Sequence, residues 1–226
     1  MKERLSFADL PGLMAEMSGD EKHDHSAAST LDVLWVLYDQ VLRISPDSVA
    51  DDDRDRFLLS KGHAPKAFYA VLAAKGFIDV AELPGFGTFG SILGHHPDRN
   101  LIAGVEIASG SLGHGLPIGV GVALGLRARG QTSRVFVLVG DAELDEGSNH
   151  EAIAFAGAVG LERLTVIAVD NSSSTYGWSG GLETRFSREG WSAARVNGRD
   201  HQALAQALSA AHPGVPRLVV AVVDPS

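Results

Sequence analysis

Apolar residues at Leu31, Leu34, Trp35, Tyr38, Val41 and Leu42 recur at three- and four-residue steps behind a Ser/Thr-rich stretch. That spacing predicts an amphipathic helix over Ser26–Ile44. An acidic loop, Pro46–Asp55, leads to the apolar run Phe57-Leu58-Leu59 and then to Ser60-Lys61-Gly62-His63. A second helix is predicted over Ala64–Lys75, ended by Gly76. Between Leu83 and Asn100 glycine, phenylalanine, histidine and proline follow no period, which marks a long functional loop. Ala108 to Gly115 then opens a glycine-rich apolar segment to about Arg129, read as a buried helix whose backbone is closely approached.

The second half alternates more plainly. Val135–Val139 is an unbroken apolar run ending at Gly140-Asp141, as in a buried parallel strand, and Asn149–Val159 has helical character. Leu164–Val169 repeats the strand and ends at Asp170-Asn171; Asp200 then caps a helix to His212, and Leu218–Val223 is a last strand. The expected fold is therefore α/β, a mostly parallel doubly wound sheet flanked by helices, with residues 1–226 as one domain.

Composition narrows the function classes. Nineteen basic against 28 acidic residues give a net charge of −9, which repels phosphate backbones and anionic lipid, so nucleic-acid and membrane binding are not expected. With no cysteine there is no disulfide framework, thiolate metal site or thiol nucleophile. Met1–Met17 lacks the apolar core of a signal peptide and no run of about 18 apolar residues occurs, so the expected location is the cytoplasm.

In doubly wound sheets ligands bind beyond the carboxyl ends of the strands, where Asp141 and Asn171 fall. An oxygen pair there suits magnesium or calcium with positions left for phosphate oxygens. By residue type and spacing alone the two serve equally well as strand-end capping residues. The acidic run Asp141, Glu143, Asp145, Glu146 is not a calcium loop, because Glu146 and Ala152 stand where glycine and glutamate are required. Gly110 to Gly115 has the wrong glycine order for a dinucleotide fingerprint, and no Walker-type Gly-Lys-Ser/Thr occurs.

Taken together, four motifs carry a resemblance. Leu59-Ser60-Lys61-Gly62-His63-Ala64, Gly110-Ser111-Leu112-Gly113-His114-Gly115, Gly140-Asp141-Ala142-Glu143-Leu144-Asp145-Glu146-Gly147 and Asp170-Asn171 follow one another in order. From about His23 to the C-terminus the chain resembles the thiamine-diphosphate-binding half of transketolases, particularly the split, two-subunit kind. The resemblance implies the thiamine-diphosphate-binding fold, with thiamine diphosphate and magnesium (or calcium) as cofactors. It implies that Asp141, the Asn171 side chain and the Ser173 carbonyl hold the metal. The backbone at Gly140 and Ala142 would meet the diphosphate, His63 would lie near diphosphate and substrate, and the backbone of Gly110, Ser111 and Leu112 would meet the aminopyrimidine. Glu146 would meet a catalytic counterpart across a subunit interface, while His23, His63 and His96 would move protons at the reacting carbonyl.

The sequence departs from the family pattern in several places. Ala142 replaces a glycine, which is tolerable unless that backbone requires φ > 0. His23-Asp24-His25-Ser26 lacks the usual Pro-Gly, and the chain stops at Ser226, short of a Lys-Gly loop. His114 replaces a glutamine, whereas His25, His150, His201 and His212 are read as surface or capping residues. The implied reaction transfers a two-carbon ketol unit from a ketose to an aldehyde, with sugars or sugar phosphates as substrates. The pyrimidine-binding domain is expected on a separate C-terminal subunit, in an α2β2 heterotetramer. A component of a 2-oxo acid dehydrogenase or decarboxylase, and a non-catalytic binding module, are the alternative readings.

Overall fold

A computed structural model describes residues 5–19, 24–175 and 177–223, with the side chains of residues 24–26 outside the description. Among these residues five strands form one sheet: β1 (Arg56–Leu59), β2 (Val135–Gly140), β3 (Leu164–Asp170), β4 (Ser192–Asn197) and β5 (Arg217–Val222). All neighbours pair in parallel, in the order β1-β2-β3-β5-β4. The helices are α1 (Leu10–Ala15), α2 (Asp24–Val36), α3 (Pro65–Ala74), α4 (Gly115–Ala128), α5 (Gly147–Ala158), α6 (Gly181–Arg188) and α7 (His201–Ser209). The expected doubly wound α/β fold is what the chain forms.

Period-two alternation sorts the strand side chains onto two faces. Val135, Val137 and Val139 join Val166, Ala168, Leu218 and Val220 under α4, α5 and α6. Phe136 and Leu138 join Ile167, Val169, Val219 and Ala221 under α1, α2, α3 and α7. Covering both faces is why the central strands read as continuous apolar runs. The chain winds outward from β1 to β2, β3 and edge strand β4 with α4, α5 and α6 on one face, then returns to β5 with α7 on the other. Right-handed crossovers demand that change of face when the direction reverses.

Two helix ends fall short of expectation. The first helix continues from α2 through one π-type turn, Leu37–Val41, and stops before Ile44. Leu42 is already extended, and the Arg43 N–H donates to the Asp55 carboxylate at 2.9 Å instead of to a helix carbonyl. Helix α7 ends at Ser209 and not at His212, since His212 precedes Pro213 and the Arg217 guanidinium takes the Ala207 carbonyl at 2.9 Å. The Asp200 cap forms as expected, accepting from the Ala203 N–H at 2.9 Å. Helix α6 and strand β4 have no counterpart in the sequence reading. No helix among the described residues is long and apolar enough to cross a membrane.

One close approach locks α5 to the turn before β4. A Cβ at Gly157 would lie 1.7 Å from the carbonyl oxygen of Glu189, and backbone cannot yield as a side-chain end can. Gly157→Ala is expected to destabilise the chain by about 2 kcal/mol through overpacking. Thermal melting checks this, and an unchanged midpoint would contradict the packing described.

Candidate functional site

Strands β1, β2 and β3 end side by side, so the motifs that follow them converge at one edge of the sheet. Asp141 follows β2 and is buried, 3% exposed, with its N–H bound to the Val169 carbonyl. Its carboxylate accepts from the Ser173 N–H at 2.7 Å, the Ser173 hydroxyl at 2.5 Å and the Ser174 N–H at 3.0 Å. The loop after β3 is thus folded back onto Asp141. Its turn passes through Ser172, the one non-glycine residue with positive φ among those described, at 59°. Strained backbone of this kind persists where surrounding contacts over-determine it.

Asn171, next to that turn, has a buried side-chain oxygen with no hydrogen-bond partner among the described residues. An orphaned buried acceptor costs about 1–3 kcal/mol, so a cation beside it would be stabilised by the ready lone pair. No group of three or more His, Cys, Asp or Glu side chains among the described residues is placed to hold a metal. A hard cation at Asp141 and Asn171 would have to take its other ligands from backbone, water and a phosphate-bearing molecule. Ala142 lies in the short 3-10 turn Ala142–Asp145 with no positive φ, so its methyl group imposes no backbone strain.

Glu143 is a site residue that the sequence reading missed. It is 2% exposed and points inward. Its carboxylate accepts from the Ser60 hydroxyl, from the Gly113 N–H at 3.0 Å and from the Gly140 N–H at 3.2 Å. Burial raises its pKa, opposed by those hydrogen bonds and by Lys61. Lys61 is the buried cation of the set, donating to the Ser29 and Thr30 hydroxyls at 2.9 and 3.0 Å. Burial lowers it to about 8, against the pull of Asp141 and Glu143.

The glycine-rich turn before α4 closes the site on its other side. A Cβ at Gly110, where φ is 127°, would lie 2.9 Å from the His96 ring, whose Nδ1 stands 3.1 Å from the Gly62 carbonyl. A Cβ on Gly62 would in turn meet Gly110 at 3.0 Å. His96, Gly62 and Gly110 are thus in mutual contact, with exposed His63 next in sequence to Gly62. Ser111 and Leu112 are exposed on the same turn. Gly113 packs against Glu146, which is exposed at the N-cap of α5, and Ser148 donates to the Gly113 carbonyl at 2.7 Å. His23 lies outside the described residues, as does the side chain of His25.

The remaining histidines read as bland are partly structural. His201 hydrogen-bonds Asp32 at 2.8 Å and meets Phe7 edge-on, and His150 stacks on Trp178. Pairing with Arg199 as well makes Asp32 the tie between α2 and the start of α7.

The sequence profile described as "Transketolase, thiamine diphosphate binding domain" matches residues 16–221. A protein named ferredoxin fas2 from Rhodococcoides fascians is 56% identical over 220 residues, covering 97% of this chain and 72% of that protein. The residues of this chain include no cysteine to ligate an iron–sulfur cluster. One of the subunits of an apulose-4-phosphate transketolase from Phocaeicola vulgatus is 37% identical over 176 residues, covering 75% of this chain and 62% of that protein. The crystal structure of transketolase from Campylobacter jejuni superposes with a TM-score of 0.79 at 25% identity, over 96% of this chain and 38% of that one. The chain thus spans well under half the length of that enzyme.

Proposed function

The chain belongs to the transketolase family, in its thiamine-diphosphate-binding domain, and from that premise we propose that it is the diphosphate-binding subunit of a two-component ketol transferase. Donor and acceptor are a ketose and an aldehyde of the sugar or sugar-phosphate class. The observation that carries this reading is the buried Asn171 oxygen, without a partner among the described residues, on the loop that folds back onto Asp141 at the ends of two adjacent strands. It supports a divalent metal, magnesium or calcium, as the link between protein and diphosphate.

When bound, thiamine diphosphate supplies the nucleophilic carbon and the electron sink for cleaving a carbon–carbon bond. This chain's residues position and discharge protons around it. Asp141, the Asn171 side chain and the Ser173 carbonyl hold the metal, and the backbone at Gly140 and Ala142, with His63, faces the diphosphate. The backbone of Gly110, Ser111 and Leu112 meets the aminopyrimidine. His96, fixed by the Gly62 carbonyl, and His63 exchange protons with the substrate's carbonyl oxygen, with His23 as a third donor. Glu146 projects from the N-cap of α5 to share a proton with a carboxylate of the second subunit, since two close carboxylates do not both ionise cheaply.

The second subunit carries the pyrimidine-binding domain, in an α2β2 assembly. Exposed Leu112, Ile118 and Phe155 lie on the turn and helices that border Glu146 and give such a partner apolar surface to cover. The test is calorimetry with thiamine diphosphate and magnesium, on the chain together with its partner, followed by a ketol-transfer assay. Metal-dependent binding and turnover that needs both subunits are the expected results. Binding indifferent to metal would refute the site, full turnover by the chain alone would refute the two-component organisation, and pyruvate turnover without ketose turnover would favour the 2-oxo acid reading.

A further inference from the structure

We propose that Glu143 is a positioning residue that sets the distance between the two ends of the cofactor site, an inference that rests on the thiamine-diphosphate reading above. Of the acidic residues that follow Asp141, Asp145 is half-buried and bonded to the Ser174 hydroxyl at 3.0 Å, and Glu146 is exposed. Glu143 alone turns into the protein, and its three donors come from three different places along the chain. The Ser60 hydroxyl follows β1, the Gly113 N–H belongs to the turn before α4, and the Gly140 N–H closes β2 next to the metal ligand Asp141. Ser60 extends the bracket by accepting from the Gly115 N–H at 3.0 Å. The bracket is itself anchored, because the Asn149 amide on α5 donates to the Glu143 carbonyl at 2.6 Å.

A ligand with a ring at Gly110–Leu112 and a diphosphate at Asp141 must find those two backbones at one separation. Among the described residues, Glu143 is the single side chain whose carboxylate bonds both the turn that carries the first and the strand end that carries the second. Each of its oxygens faces only donors, so a carboxylate satisfies the arrangement and an amide does not: Glu143→Gln turns an NH2 group toward an N–H or O–H donor. Displacement of catalytic or binding groups by about 1 Å is enough to cost orders of magnitude in function.

The experiment compares two ligands on the assembled two-subunit protein, wild type and E143Q, each titrated with magnesium plus either thiamine diphosphate or inorganic pyrophosphate. Pyrophosphate needs only the metal end, whereas the cofactor needs both. E143Q is expected to weaken thiamine diphosphate about tenfold or more, the scale of one lost hydrogen bond to a charged group, and to leave pyrophosphate within about twofold. Equal losses for both ligands, or no loss for either, would overturn the proposal, because a simple weakening of the fold or of the metal loop does not discriminate between them. Ser60→Ala removes one arm only and is expected to shift the ratio the same way by a smaller factor; it decides the question if E143Q does not fold, and an unshifted ratio counts against it. A wild-type protein that binds magnesium pyrophosphate but not thiamine diphosphate would sink the functional reading itself, and this inference with it.

Discussion

Replacing Asp141 with alanine is expected to abolish metal-dependent cofactor binding and to lower the melting temperature, whereas Asn171→Leu is expected to do only the first. Losing a residue that merely orients a metal ligand costs on the order of 10–100-fold in affinity, so loss of a ligand should exceed about 100-fold in either variant. The stability effects diverge because the two side chains stand in opposite positions. Asp141 is satisfied by two backbone N–H groups and a hydroxyl, and its removal strands them at about 1–3 kcal/mol for each donor left buried. Asn171 offers a buried oxygen that no described residue satisfies, so an apolar replacement removes a cost. Melting curves without metal, beside magnesium-dependent titrations of thiamine diphosphate, check both halves. A destabilised N171L protein, or one that keeps its metal dependence, would refute the assignment of that oxygen.

The second large effect lies at the opposite edge of the sheet. Asp55 is fully buried and accepts from the backbone N–H groups of Arg43 and Arg134 and from both guanidinium groups, with closest approaches of 2.9 and 2.5 Å. Asp55→Ala is expected to destabilise by about 3 kcal/mol, chiefly from those two stranded backbone donors, because both arginines reach solvent. Burial pushes the Asp55 pKa up, but the bonds from Arg134 and Arg43 outweigh it and leave the group below its ordinary value. A folded-state pKa below the unfolded value of about 3.9 stabilises the protein above that pH, and the contribution is lost as pH falls through the folded value. The gap between wild type and D55A is therefore wide at pH 7 and closes below about pH 3.9. Denaturant unfolding across that range measures it, and a gap constant with pH would contradict the ionised cluster.

What was legible in the sequence follows from burial. Strands β2, β3 and β5 are covered on both faces and announce themselves as apolar runs, and the motifs at their ends mark the site edge. Strand β4, Ser192–Asn197, is an edge strand of small and polar residues, partly buried, and α6 carries only Leu182 and Phe186 inward. In α6 that is one i, i+4 apolar pair within eight residues, too short a stretch for the pattern to repeat, and β4 shows no strict alternation of apolar and polar positions. Glu143 was visible only as one acid in an acidic run. Its partners Ser60 and Gly113 lie 83 and 30 positions away, a relation that only the folded chain reveals. The end of the first helix was likewise hidden, since the Arg43 N–H that would continue it is captured by a carboxylate from residue 55.

Strand β1 stands at the edge of the sheet, with residue 56 beside residue 135 and a single neighbour, β2. Pairings of such long sequence separation are slow to form, because loop closure must precede the contacts that reward it. An outer strand with one neighbour is also a natural unit to detach in local opening, and with it would go Ser60, Lys61, Gly62 and His63. Ser60 to His63 are therefore in place only while β1 is paired with β2, and native-state hydrogen exchange at Phe57–Leu59 would report how often the folded chain gives that arrangement up.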